Sequence, residues 1–220
     1  MPLLYFFSFA YGLGGHVSDV GGVSYVAFVV PGIVALSTLS SSFSTTCTRI
    51  MVQRRFYASF DELMLCPLTP SSVILGKTVL GMCKSLITCA VMLALGCMIT
   101  SDIVIGPALV LSIVIASFVF SLLGVVGGLM VTNMATMNLF NSFVILPMTF
   151  LCGTVFSTAA LPDLAQAVIY ALPLTHASEC IRAATLGMPF PFLSMAVLVA
   201  YGIGFYLLAY RILYKGSVAT

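Results

Sequence analysis

Apolar runs, each close to the roughly 20 residues needed to cross a hydrocarbon core as a helix, dominate this chain and leave it few ways to fold. They lie near residues 25–47, 79–100, 106–131, 139–157 and 192–213. Hydrophobic residues make up 61% of the sequence and charged residues 6%, whereas soluble domains carry about 25% charged residues. The expected class is therefore all-α, a polytopic membrane protein forming a single transmembrane domain over 1–220. A transmembrane barrel would show shorter segments, about ten residues each, that alternate in polarity. The opening run, Pro2 to Leu13, is too short to cross and lacks the basic region of a signal peptide. It is expected to be the outer half of a first span over about 1–14, either truncated at its start or a half-span.

A polar island interrupts the apolar pattern and holds five of the eight cations, Arg49, Arg54, Arg55, Lys77 and Lys84, beside the acidic pair Asp61 and Glu62. Arg211 and Lys215 fall on the same side of the membrane by span count. Segments 15–24, 101–105 and 158–191 fall opposite and contain one cation, Arg182, with four acids, Asp19, Asp102, Asp163 and Glu179. Lysine and arginine accumulate in loops that stay in the cytoplasm. Hence the loop over 48–78 and the C-terminus are expected to be cytoplasmic, and the modest net charge of +2 gives no reason to expect nucleic acid as a partner.

Chemistry-bearing motifs are scarce. There are two histidines, His16 and His176, and no HExxH, Gly-rich phosphate loop or GKS/GKT. No catalytic residue, metal site or cofactor is expected on this chain, and a membrane enzyme is the weakest reading. The seven cysteines are odd in number and dispersed, which is not a disulfide framework. Proton-coupled transporters and pumps mark their pathways with intramembrane Asp, Glu or His. Here only Lys84 enters a span, near its end, where it can snorkel to the interface.

Hydroxyls crowd the second half of the first full span, among them Ser37, Ser41, Ser44 and Thr45. Two readings stand side by side: packing through bonds to their own backbone and to neighbouring helices, or a polar wall along a substrate path. In the run 106–131, Ser117, Ser121, Gly124 and Gly128 share one face, which predicts close helix packing within the subunit. Between 158 and 191, the stretches Leu161 to Leu172 and Leu174 to Leu186 flank Pro173 and are each too short to span. They read as a re-entrant or interfacial hairpin on the outer side. His176, Glu179 and Arg182 recur on its second arm, either as an exposed ion pair or as contacts for the headgroup of an exported amphiphile.

Within the island, Phe60, Asp61, Glu62, Leu63, Met64 and Leu65 read as a short helix stopped by Pro67, with the carboxylates in its first turn. Ser71 or Ser72 is expected to cap the helix that follows. A short helix with an acidic start and an apolar ridge suits docking into a groove on a soluble partner.

The ordered series of Gly22-Val23-Ser24-Tyr25, Pro31-Gly32, Gln53-Arg54-Arg55, Asp61-Glu62-Leu63, Pro67-Leu68, Leu146-Pro147, Phe150-Leu151-Cys152-Gly153, Val155-Phe156, Leu161-Pro162, Leu172-Pro173-Leu174-Thr175-His176, Arg182 and Leu186-Gly187 resembles the permease subunit of a type-2 ATP-binding-cassette (ABC) exporter. The likeness is strongest to the nodulation-type lipo-oligosaccharide and polysaccharide branch and covers most of the chain. It implies a six-span fold with a re-entrant outer hairpin. It also implies dimerisation with a second copy or a paralogue, and pairing with two ABC ATPase subunits that carry ATP and Mg. The helix around Asp61 to Leu65 would be the coupling helix, and the protein would move an amphiphile such as a lipo-oligosaccharide, polysaccharide, lipid or drug out across a bacterial cytoplasmic (inner) membrane, in contact with membrane lipid. Members begin with a cytoplasmic amphipathic helix and a complete first span, which do not precede Met1 here. The competing readings are an ATP-independent scaffold or channel and, more weakly, the capturing subunit of an importer.

Overall fold

The computed structural model describes residues 25–57, 59–99, 105–151, 166 and 169–218. All regular structure among them is helical. Helix α1 (Tyr25–Arg55) leads into the short α2 (Ser59–Leu65), then α3 (Pro70–Ile99) and α4 (Pro107–Met130). Next come α5 (Met134–Phe140), a π-turn (Asn141–Ile145) and α6 (Leu146–Leu151), followed by α7 (Pro173–Thr185) and α8 (Phe192–Val218). Four of these, α1, α3, α4 and α8, are long and apolar enough to cross a membrane. The expected partial first span, residues 152–157 of the 139–157 run and most of the first arm of the outer hairpin lie outside the described residues.

Helix ends and apolar runs do not coincide on the polar side. Helix α1 continues through Arg49 to Arg54 and Arg55, and α3 already begins at Pro70. Backbone hydrogen bonding carries a helix past the point where hydropathy falls, and long cationic side chains reach water from there. The cap of α3 also differs from expectation. Pro70 occupies the first turn, where a missing N–H is harmless. The capping side chain is therefore Thr69, whose Oγ1 accepts from the Ser72 amide at 3.4 Å, and not Ser71 or Ser72.

The core is a three-helix seam of α1, α3 and α4. Pairs Thr38 with Cys89, Ser41 with Ser85, and Thr46 beside Gly81 show that α3 runs antiparallel to α1. Helix α4 runs alongside α1 in the same direction, Gly124 lying against Phe43 and Gly128 against Ile50. A Cβ on Gly124 would come within 2.9 Å of the Phe43 carbonyl, and one on Gly128 within 2.9 Å of the Cys47 carbonyl. The small-residue face of α4 is thus a packing surface within the subunit, as its spacing predicts. Lipid offers no hydrophobic drive between helices, so close backbone approach and interhelical hydrogen bonds hold such a seam. Ser121 supplies both: its Oγ pairs with Thr46 at 2.9 Å and donates to the Thr78 carbonyl at 2.8 Å.

At the end of the bundle that carries α2, a second cluster joins Ile50, Phe60, Val73, Ile74, Leu129 and Leu213. This places the C-terminal end of α8 beside the short helix. Arg49, Arg54, Arg55, Lys77 and Arg211 belong to the same end of the bundle.

Candidate functional site

Two arrangements carry chemistry, a short helix clamped to one end of the bundle and a polar groove in its side. The short helix α2 stops two residues before Pro67, because the residue preceding a proline is driven away from helical geometry. Phe60 is 4% exposed and fixes α2 to the second cluster. The Arg54 guanidinium lies 5.7 Å from the centre of the Phe60 ring, while its Nη1 donates to the Leu129 carbonyl. One arginine therefore ties α1, α2 and the end of α4 together, in part by a cation–π contact. Glu62 and Leu65 face outward, Leu65 being 87% exposed. Pro67 is exposed beyond the helix end. The side chains of Asp61, Leu63 and Met64 lie outside the described residues.

The structure sorts the hydroxyls of α1 by face. Ser37 and Thr38 are buried and bond back to the carbonyls of Ile33 and Val34 at 2.7 and 2.8 Å. Thr38 also meets Cys89 Sγ at 3.0 Å. These are packing groups, and Ser37 does not face the groove. Ser40, Ser41, Ser44 and Thr45 do. With Lys84 and Thr88 of α3, Asn141 and Ile145 of the π-turn, and Leu146 and Thr149 of α6, they line a groove of about 540 Å³. The two faces of α1 thus differ: Ser37 and Thr38 are packed into the bundle, and Ser40, Ser41, Ser44 and Thr45 line the groove.

The third wall exists because of Pro147. A proline inside a helix removes a donor and its ring presses on the carbonyl four residues earlier, here that of Phe143. The backbone widens by one residue at that point, and the Leu146 amide bonds to the Asn141 carbonyl five residues back. Such π-turns recur at functional sites. Here the widening accompanies the placement of the Asn141 amide in the groove.

Lys84 occupies the middle of the 30-residue α3. Helix α3 begins at Pro70, nine residues before the apolar run 79–100, so the place of Lys84 midway along the helix and its place near the start of that run are the same position. Among the described residues no carboxylate lines the groove with it. Sequence reasoning also passed over Thr88 and Asn141. The four-residue spacing of Lys84 and Thr88, and of Ser40 and Ser44, was the available signal, whereas nothing local marks Asn141.

His176, Glu179 and Arg182 do not form an exposed pair. Helix α7 is drawn into the bundle, with ten of its 13 residues buried. His176 is 8% exposed, and its Nε2 meets the Tyr170 carbonyl at 2.9 Å. Half-buried Glu179 accepts from Ser194 Oγ at 2.7 Å. The Arg182 guanidinium stacks 3.8 Å from the centre of the Phe28 ring. Thr175 donates to Ile169 and Tyr201 to Ala171, each at 2.6 Å, which staples the preceding turn to α7 and α8. Gly187, at φ +64°, closes α7 in the left-handed conformation that glycine adopts freely.

Residues 1–186 match the family described as ABC-2 type transporter. The chain belongs to the ABC-2 type transporter family. Relatives of this ABC-2 protein include "Nodulation protein J" of Neorhizobium galegae, 30% identical over 86% of this chain and 73% of the relative. The protein of the same name in Rhizobium meliloti (strain 1021) is 30% identical over 86% and 72%. "Inner membrane transport permease YadH" of Escherichia coli (strain K12) is 26% identical over 97% and 84%. The ABC-2 chain is thus a multi-pass membrane protein and a transport subunit, similar to the nodulation-type permeases.

Proposed function

We propose that this chain is the membrane-spanning permease of an ATP-driven exporter that moves an amphiphile out of the cytoplasm across the inner membrane. In this reading two copies, or one copy and a paralogue, pair with two ABC ATPase subunits. ATP and Mg are carried by those partners, and the chain itself contributes no step of hydrolysis. The observation that carries the reading is the clamped helix α2, which presents Glu62 and Leu65 outward while Phe60 and Arg54 hold it rigidly to α1 and α4.

A force applied to α2 passes into α1 through Arg54 and towards α3 through the cluster that Phe60 shares with Val73 and Ile74. Those same helices form two walls of the polar groove, so closure of the ATPases against α2 would shift Ser40, Ser44 and Thr45 relative to Lys84. The groove is then the substrate path. A relative described as an inner membrane transport permease supports the location, and the cation distribution supports a cytoplasmic C-terminus.

Copurification tests the partner directly. A Walker-motif ATPase is expected with the C-terminally tagged protein from its host, and Glu62→Arg is expected to lose it by placing a cation at the acidic start of α2. Intact association and intact export in that variant would sink the reading. Sidedness has its own check. In an otherwise Cys-free background, Asp102→Cys is expected to react with a membrane-impermeant maleimide in intact cells, and protection from the reagent would reverse the topology.

A further inference from the structure

The chemistry of the groove walls is more specific than a polar path requires. Hydroxyls on membrane helices ordinarily turn back to the carbonyl one turn earlier. Ser37, Thr38, Ser41, Thr78, Thr88, Ser112 and Thr185 all do so. Ser40, Ser44 and Thr45, which line the groove, make no side-chain hydrogen bond among the described residues, and neither does the Asn141 amide. Their donors are left for something in the groove.

Lys84 sets the sign of that ligand. It is exposed, it lies half-way along α3, and no acid is among the described lining residues. A neutral sugar would be served by hydroxyls and an amide alone. An ammonium facing the groove favours an anion, because charge-assisted hydrogen bonds are shorter and about twice as strong as neutral ones. Beside these donors stand Phe43, Ile145 and Leu146, an apolar flank suited to a hydrocarbon chain. Phe43 is held in place by stacking on Phe140 at 5.4 Å.

We infer that the groove binds the anionic headgroup of an amphiphile, a phosphate, sulfate or carboxylate, with Lys84 as counter-charge and Ser40, Ser44, Thr45 and Asn141 as neutral donors. The inference rests on the exporter reading for its meaning, as the substrate class of that path, but its test does not. The probe is radiolabelled dodecyl phosphate, bound to the full chain in dodecyl maltoside and read by scintillation proximity without any ATPase. The detergent supplies a neutral amphiphile in large excess, so that signal reports the headgroup charge.

Saturable binding is expected, weakened about tenfold or more by Lys84→Gln and kept within about threefold by Lys84→Arg. Filling the groove with Ser44→Leu is expected to abolish binding while the ammonium stays in place. Because Lys84 and Ser44 are both exposed, these variants are expected to elute as the parent does. Undiminished binding in Lys84→Gln would overturn the inference and return Lys84 to a snorkelling side chain. Competition by inorganic phosphate at the same concentration as the dodecyl ester would overturn it too, by assigning the site to a free anion. Loss of ATPase copurification with binding retained would remove the exporter reading and leave the anion site standing.

Discussion

Leucine in place of Gly124 is expected to destabilise the folded protein by on the order of 3 kcal/mol or more, a large effect for one substitution. The reason lies in which atoms stand opposite. A Cβ at this position meets the Phe43 carbonyl oxygen at 2.9 Å, Thr46 Cβ at 2.9 Å and Phe43 Cα at 3.2 Å. Two of these belong to the backbone of α1 and the third is fixed to it, so no side-chain rotation relieves the clash. The helices must separate. Separation also lengthens the Thr46–Ser121 hydrogen bond, which sits in the same seam, and a buried hydroxyl left without a partner costs roughly 1–3 kcal/mol more. Gly204 in α8 is the matched control, since nothing lies within 4 Å of its Cβ position. Thermal loss of monodisperse protein in detergent is the measurement: a lowered midpoint for Gly124→Leu and an unchanged one for Gly204→Leu are expected. Equal midpoints would mean that α1 and α4 are not in this register.

Truncating Phe60 is expected to release α2 while leaving the membrane bundle folded. Removing a buried phenylalanine side chain costs about 3–5 kcal/mol. Here the loss falls on a seven-residue helix, too short to persist on its own. The Arg54 contact to the ring disappears with it, although the hydrogen bond from Arg54 to Leu129 can remain. In Phe60→Ala, amide exchange across 59–69 should therefore accelerate strongly, while α4, whose residues Leu122, Val125 and Val126 border the same cluster, should keep its protection. ATPase association is expected to fall with the exchange protection, and Phe60→Leu should restore most of both. Unchanged exchange over 59–69 would mean that α2 is held by something other than this ring.

These two substitutions act on two different parts of the fold. Gly124 belongs to a seam that must not open, because α1 and α4 support each other through backbone contact. Phe60 belongs to the joint that fixes α2 to the end of the bundle. The exposed Glu62 and Leu65 lie on the outer side of that joint, where a charge reversal alters a surface and not a fold.

Much of this protein was legible without coordinates. Membrane class follows from apolar runs of bilayer length, since a bilayer admits only structures that satisfy their backbone internally. The short helix ending before Pro67 follows from proline sterics, and the close-packing face of Ser121, Gly124 and Gly128 follows from helical spacing. Each is a local property of the chain. Across space, local rules stop. That Ser37 packs while Ser44 faces a groove depends on which neighbour lies on each side of α1, and four-residue spacing is blind to that. Hydropathy marks where apolar residues begin, whereas α3 begins where Thr69 and Pro70 start the hydrogen-bonded ladder, so Lys84 stands midway along a helix longer than its apolar run. His176, Glu179 and Arg182 looked exposed because they are polar, and only the docking of α7 against α1, α4 and α8 turned them inward. The sequence by itself determined which segments are helices in a membrane. The tertiary structure decided which polar groups meet, because residues as far apart as Ser44, Lys84 and Asn141 line one groove only when three helical segments come together.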